Sequence, residues 1–380
     1  MHLWKKENPN LKENNMTKAW YEIDNIEVAD SPCLVVFPDR IKKNIEKAIQ
    51  LAGDVNRLRP HVKTHKSAEV SRLCIDAGIT KFKCATIAEA EMLGMVLASD
   101  VLISYQLTGP TLNRYAELIK AFPKTSFSSL VDNEASLNEL ISLSQRFSIK
   151  PKLFIDLDVG MHRTGIEPGP EANKLVEKII SSGLELAGIQ MYDGHIRDAD
   201  LASRKIKSDE CFNKVMSWIE TTGIDTLEII CGGSPTFIIH ANRTEVTCSP
   251  GTFIYWDHGY NSIPDTGDFL PAAVLISRII SMPAHLICTD LGHKSVASEN
   301  TIDKRVQFLN GNELDPISQS EEHLVLKPQS GHTYKIGDVL YAIPYHICPT
   351  VALHDHVYIV EENKIVGSWK SVARTRKLNI

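Results

Sequence analysis

Four side chains that can bind anions or move protons fall within six residues: His61, Lys63, His65 and Lys66, in the run Arg59-Pro60-His61-Val62-Lys63-Thr64-His65-Lys66-Ser67. A lysine held partly out of water beside other cations loses proton affinity and becomes a nucleophilic amine, the requirement for Schiff-base chemistry. Pro60 pushes Arg59 towards an extended conformation. With Val55, Leu58 and Val62 it predicts a strand over Arg57–Lys63 that ends on the amine. From this segment alone a solvated basic turn before a helix remains the alternative.

Other chemical side chains collect in loops further on. Gly232-Gly233-Ser234 precedes a predicted short helix, Thr236–Ala241, and can offer backbone N–H groups and a hydroxyl to a dianionic phosphate. Glycine suits such a turn because a side chain would block close approach. Alone, a Gly-Gly-Ser turn is most often just a tight turn. A lysine facing a phosphate cradle nevertheless describes a pocket for pyridoxal 5′-phosphate, with Lys63 as its Schiff-base partner. Asp158-Val159-Gly160-Met161-His162-Arg163-Thr164-Gly165, Tyr192-Asp193-Gly194-His195 and Ser249-Pro250-Gly251-Thr252 add glycine and polar groups at comparable positions.

The elements that must position these residues alternate. Strands are predicted at Arg57–Lys63, Lys81–Thr86, Val101–Tyr105, Ser126–Asp132, Lys152–Val159, Leu184–Asp193, Thr226–Gly233 and Glu245–Phe253. Helical patterns separate them, among them Ala68–Ala77, Ile87–Ala98, Pro110–Phe122, Asn133–Phe147, Pro170–Ser182 and Leu201–Thr222. The rhythm predicts an α/β chain with a closed (β/α)8 barrel of the TIM type over residues 31–265, its polar strand ends at one rim. A doubly wound sheet is the runner-up, but the glycine fingerprint it usually carries is replaced here by Lys63-Thr64-His65-Lys66. Residues 266–380 are β-rich, with runs such as Ala272–Ile280, Val339–Ile343 and His356–Val360 and an Asn310-Gly311 hairpin signal. They read as a second, mostly antiparallel β domain. Residues 1–30 read as a polar tail followed by a segment that joins that domain, with a strand possible around Ala19–Val36.

Composition excludes some partners. Of the 380 residues, 43% are hydrophobic and 23% charged, with a formal charge of −6, which argues against nucleic acid and anionic membranes. No apolar run reaches the length of a membrane span. The eight cysteines are scattered without a C-x-x-C pair, as in a reduced cytoplasmic protein.

Taken together, Arg59–Lys66, Asp158–Gly165, Tyr192–His195, Gly232–Thr236, Pro250–Thr252 and His346-Ile347-Cys348 resemble, in order, the motifs of the D-threonine aldolase and D-serine dehydratase family. These are alanine-racemase-like, fold type III pyridoxal phosphate enzymes, and the resemblance runs from about Trp20 onwards. It implies that Lys63 forms the Schiff base, that Lys66 is a second cation tuning it, and that Arg163 approaches the cofactor's phenolic oxygen. Tyr192, Gly232, Gly233 and Ser234 complete the expected cofactor contacts.

His346 and Cys348, two apart on an expected extended chain, would face one way and suit Zn²⁺, with Mn²⁺ or Mg²⁺ as other candidates. From the residues alone a half-buried histidine near a core cysteine fits equally, and the resemblance favours the metal. His195 is the candidate for handling the proton of the substrate's 3-hydroxyl. The expected activity is a metal-assisted lyase on D-3-hydroxy amino acids, with D-threonine aldolase ahead of a zinc-dependent D-serine dehydratase. His-x-Cys resembles the family's zinc-binding dehydratases, whereas its aldolases more typically carry His-x-Asp. A racemase and a non-catalytic cofactor carrier are weaker readings. The resemblance also implies a homodimer.

Overall fold

A computed structural model describes residues 18–224 and 227–380. The expected tail over Met1–Asn15, and the start of the strand expected from Thr226, lie outside the described residues. The chain begins with β1 (Cys33–Val36) and α1 (Pro38–Ala52), then alternates: α2 (Ala68–Asp76), β2 (Lys81–Cys84), α3 (Ile87–Met95), β3 (Asp100–Gln106), α4 (Pro110–Ala121) and β4 (Ser126–Val131). There follow α5 (Glu134–Phe147), β5 (Lys152–Leu157), α6 (Pro170–Ser181), β6 (Glu185–Met191), α7 (Leu201–Thr222), β7 (Glu228–Cys231), α8 (Phe237–Ala241), β8 (Val246–Cys248) and α9 (His258–Asn261). Strands β2 to β8 pair in sequence order, all parallel. Leu102, Leu130, Phe154 and Ile230 fill the interior as one buried cluster.

The first barrel strand is not the regular strand expected over Arg57–Lys63. Short 3₁₀ turns occupy Val55–Arg57 and Val62–Thr64, and only Leu58 and His61 make single parallel bridges, to Cys248 and Lys83. Pro60 has no N–H to give a ladder, and His61 Nδ1 accepts from the Lys63 N–H at 3.2 Å, which curls the chain. The segment still closes the ring. Arg59 N–H donates to Cys248 O, His61 N–H to Pro250 O, and Lys83 N–H to Pro60 O. Arg59 is fully buried and reaches Asp100 at 2.6 Å and Glu228 at 2.8 Å, at the starts of β3 and β7. One guanidinium thus pins the closing segment to two strands across the barrel.

The second sheet uses β9 (Ala273–Ser281), β10 (Ile287–Thr289), β11 (Val306–Phe308), β12 (Leu314–Gln319), β13 (Leu324–Pro328), β14 (Val339–Pro344), β15 (His356–Glu361) and β16 (Lys364–Lys370), with α10 (Ile347–Val351) between β14 and β15. Its order is β12-β13-β10-β9-β1-β15-β16, with β14 also on β9 and β11 on β14. All pairs are antiparallel except β1 with β15. The N-terminal strand expected around Ala19–Val36 is β1, in the middle of this sheet, so residues 33–36 pack with the β domain rather than the barrel. The Asn310-Gly311 turn joins β11 to β12, but these pair with β14 and β13 instead of forming a hairpin.

Candidate active site

A cavity of about 1350 Å³ opens where the C-terminal ends of the barrel strands meet the β domain. Lys63, Lys66, Lys83, Arg163, Tyr192, Gly233, Ser234, His346 and Cys348 all line it. The chain therefore brings the expected amine, the glycine turn and the His-x-Cys pair onto one surface.

Lys63 is half-buried at the centre of the Val62–Thr64 turn. The histidines on either side are buried and stay neutral. Burial and the Lys63 charge hold His61 well below the usual imidazole range, and burial with Lys66 lowers His65 to about 3. Lys66 takes a positive φ of 53° and forms an ion pair with the fully buried Glu89, at the start of α3. Its charge is matched there, so the place of an unmatched cation beside Lys63 falls to another residue.

That place belongs to Lys83, on β2. It is 3% exposed and lines the cavity, with its ammonium 5.9 Å from the centre of the Tyr192 ring. Among the described residues the ammonium has no hydrogen-bond or ion-pair partner. Burial lowers it to about 7, and the charges of Lys63, Arg59 and Arg163 push the same way against Asp156. Asp156 is itself held at 2.9 Å by Gln106, Thr164 and Gln190.

The opposite wall suits a phosphate. Gly232 has φ +74°, and a Cβ on Gly233 would lie 3.0 Å from the Tyr192 ring. A Cβ on Gly251 would lie 3.0 Å from His61 O. Space for an oxyanion exists there because these positions carry no side chain. Gly232 itself stands behind the lining, packed on His240 and Thr236. Asp193 fixes the turn, accepting from Thr236 Oγ1 at 2.7 Å and pairing with His240 at 2.8 Å, and Ser234 Oγ accepts from Thr252 N–H at 3.2 Å. Arg163 lies over the Tyr192 ring, 4.9 Å from its centre. Asp158 shapes the Arg163 loop by accepting from Gly160 N–H at 2.9 Å and His162 N–H at 3.1 Å.

His346 and Cys348 approach from the β domain. The expected extended geometry holds only for His346, at φ −132° and ψ 102°, because Cys348 lies in the first turn of α10. The two side chains nevertheless line the same cavity and favour each other's charge. Burial opposes both charges, but the pairing outweighs it: His346 rises to about 9, aided by Glu299 at 2.6 Å, while Cys348 falls below the usual thiol value. An imidazole and a thiolate on one cavity wall are donors that suit Zn²⁺. Among the described residues no group of three or more His, Cys, Asp or Glu side chains is arranged around a metal position.

Barrel residues hold this pair in place. Buried Asp257 accepts from Ile347 N–H at 3.0 Å and Tyr260 N–H at 2.9 Å. Cys348 Sγ lies 3.2 Å from Thr64 Oγ1 and 3.6 Å from Thr252 Oγ1. Thr64 adjoins Lys63, so the amine and the thiol share one wall.

His195 is placed elsewhere. Its ring is exposed and packs beside Gly160, outside the cavity lining, although Tyr192 and Arg197 of the same segment do line it. Sequence reasoning also missed Lys83, Glu89, Asp257 and Glu299. Only Lys83 left a usable sign: Lys81 and Lys83 alternate onto the same face of a strand that is otherwise apolar.

Residues 36–258 match the family described as alanine racemase, N-terminal domain, and residues 272–360 match the serine dehydratase domain. The chain belongs to the alanine racemase N-terminal domain family, whose enzymes use pyridoxal 5′-phosphate. It is 26% identical to a 3-hydroxy-D-aspartate aldolase of Paracoccus denitrificans, over 90% of this chain and 92% of the relative. It is 24% identical to a D-threonine aldolase of an Arthrobacter species, over 92% and 94%. The fold matches a D-threonine aldolase structure from Filomicrobium marinum with a TM-score of 0.83 at 22% identity, over 94% of this chain and 98% of that one. It also matches a D-threo-3-hydroxyaspartate dehydratase with a TM-score of 0.79 at 19% identity, over 92% and 99%; that structure is a cysteine-to-alanine variant in the metal-free form. No helix among the described residues is long and apolar enough to cross a membrane.

Proposed function

We propose that the protein is a pyridoxal phosphate-dependent, metal-assisted lyase of D-3-hydroxy amino acids, and that it cleaves D-threonine-like substrates to glycine and an aldehyde. The supporting observation is the meeting of Lys63 with the His346–Cys348 pair on one cavity, joined through Thr64. In this reading Lys63 holds the cofactor covalently, Gly233 and Ser234 receive its phosphate, and Arg163 and Tyr192 flank its ring. The cofactor, once bound, supplies an electron sink for the pair released at Cα. His346 and Cys348 would hold a divalent ion, Zn²⁺ before Mn²⁺ or Mg²⁺, which as a Lewis acid would polarise the 3-hydroxyl. The 3-hydroxyl proton would leave to cavity water, because the exposed His195, its expected acceptor, lies outside the lining.

A second reading, a D-serine-type dehydratase, is favoured by Cys348. In that case the Lys63 amine takes the α-proton while hydroxide departs. Product analysis on D-threonine and D-serine, with Zn²⁺, Mn²⁺ or chelator, separates the two. Glycine and acetaldehyde from D-threonine support the aldolase. Formation of 2-oxobutanoate without glycine, and pyruvate from D-serine, would replace it with the dehydratase.

A further inference from the structure

We propose that Lys83 is a further ligand-binding residue of this cavity, its ammonium meeting either the ring oxyanion of the bound cofactor or the carboxylate of the amino-acid substrate. The inference rests on the functional reading above.

Four lysines stand in or below the barrel mouth, and two of them are matched. Lys66 pairs with Glu89, and Lys81 with Glu228 at 3.1 Å. Lys63 is committed to the cofactor in the functional reading. Lys83 has no such assignment, yet it is the most buried of the group and lies on the cavity lining.

Burying an amine without a partner is costly, and a lysine near a strand end can usually reach water instead. Here the amine's way to solvent is the cavity that it lines. The His61–Lys83 bridge and the Lys83 N–H bond to Pro60 O at 2.9 Å fix β2 against the closing segment. They aim the side chain across the barrel towards Tyr192 on the far wall.

The surrounding charge also calls for an anion. Lys63 and Arg163 add positive charge, Arg59 is already paired with Asp100 and Glu228, and Asp156 is held by three neutral donors. The phosphate position lies by Gly233 and Ser234, on the β7 side. With the phosphate assigned to that turn in the functional reading, the ring oxygen and the substrate carboxylate are the oxyanions that remain for Lys83.

The test uses the full chain, stripped of cofactor and then reloaded, as wild type, Lys83→Met and Lys83→Arg. Two dissociation constants are measured: that of pyridoxal phosphate, by equilibrium dialysis, and that of D-alanine, which lacks the 3-hydroxyl, from the change it causes in the visible band. One lost charge-assisted hydrogen bond should weaken one of them about tenfold in Lys83→Met, with Lys83→Arg recovering most of it. Weaker cofactor binding identifies the ring oxyanion as the partner, and weaker D-alanine binding identifies the carboxylate. Both constants within twofold of wild type overturn the inference. Melting of the cofactor-free variants checks folding, and Lys83→Met should melt no lower than wild type. If wild type itself takes up no pyridoxal phosphate, the functional reading fails and this inference goes with it. If wild type is loaded but Lys83→Met is indifferent, only the inference fails.

Discussion

The two halves of the candidate site are built by different means. On the barrel side the cations stand on strand ends and tight turns, and their positions follow from the closure of the ring: Arg59 anchors the closing segment, Glu89 pairs with Lys66, and Lys63 and Lys83 face the cavity without an ion-pair partner among the described residues. On the β-domain side His346 precedes and Cys348 opens a five-residue helix after β14, and much of what holds them comes from the barrel portion of the chain: Asp257, Thr64 and Thr252. The barrel thus carries its own groups and also sets the position of groups delivered to it. The amine should work as a chemical group that nothing else replaces, while the His–Cys pair should be tunable through its supports.

The sharpest way to break that contrast is Lys63→Arg, which keeps the charge and removes the nucleophilic amine. It should abolish the visible band formed with pyridoxal phosphate and reduce product formation to background, even with metal present. A variant that keeps the band would move the covalent role to another lysine. Next in size, His346→Ala or Cys348→Ser should lose bound metal, read by elemental analysis, and slow turnover by about 10²–10³-fold, the equivalent of several kcal/mol of Lewis-acid stabilisation. The visible band should survive in both. Loss of the band together with the metal would mean that the two halves are not separable.

Lys83 marks the contrast within the barrel, between matched and unmatched cations. Its folded-state value of about 7 lies below the ordinary lysine value, so the unfolded chain binds this proton more tightly than the native one. The native state therefore gains stability from this group as pH rises from about 7 towards the ordinary lysine value near ~10.4, and loses it as pH falls back through 7. Urea unfolding of cofactor-free protein at several pH values should show this slope. Lys83→Met should flatten it relative to wild type, with the surrounding Lys63, Arg59, Arg163 and Asp156 left in place. Equal slopes would mean that the amine finds a partner or water in the empty cavity.

How much of this was legible in the sequence differs between the two halves for physical reasons. The period was readable: the helix expected over Asn133–Phe147 is α5, capped by the Asn133 side chain on Ser136 N–H, and the βα alternation from Lys81 to Cys248 appears nearly as expected. The closing strand was misread because Val55, Leu58 and Val62 fit a strand pattern as well as they fit turns packed under the barrel. The fate of Lys66 was hidden because Glu89 is 23 positions away and meets it only once α3 is docked. His346 and Cys348 were readable as a pair, but not their geometry: Pro349 suggested an extended chain, and a proline is also tolerated in the first turn of a helix. Glu299 gave no local signal because it acts on a segment far away in sequence, and the local cap that Asp257 makes on Tyr260 N–H says nothing of its bond to Ile347 N–H.

The smallest expected effect tests the claim that the barrel positions the β-domain thiol. Thr64 and Thr252 both present hydroxyls to Cys348 Sγ, at 3.2 and 3.6 Å, and both are buried. Valine keeps nearly the same shape and removes only the hydroxyl. If these contacts orient the thiol, Thr64→Val should cost about 0.5–1.5 kcal/mol of metal-binding free energy, a few-fold to about tenfold in affinity, and Thr252→Val less because its contact is longer. Cofactor affinity should change little in Thr252→Val, whose backbone N–H still donates to Ser234 Oγ. In Thr64→Val a small loss is tolerable, because that residue also ends the turn carrying Lys63. Metal affinities unchanged in both variants would return the placement of Cys348 to α10 and Asp257 alone, and the β domain would then hold its half of the site without help from the lysine turn.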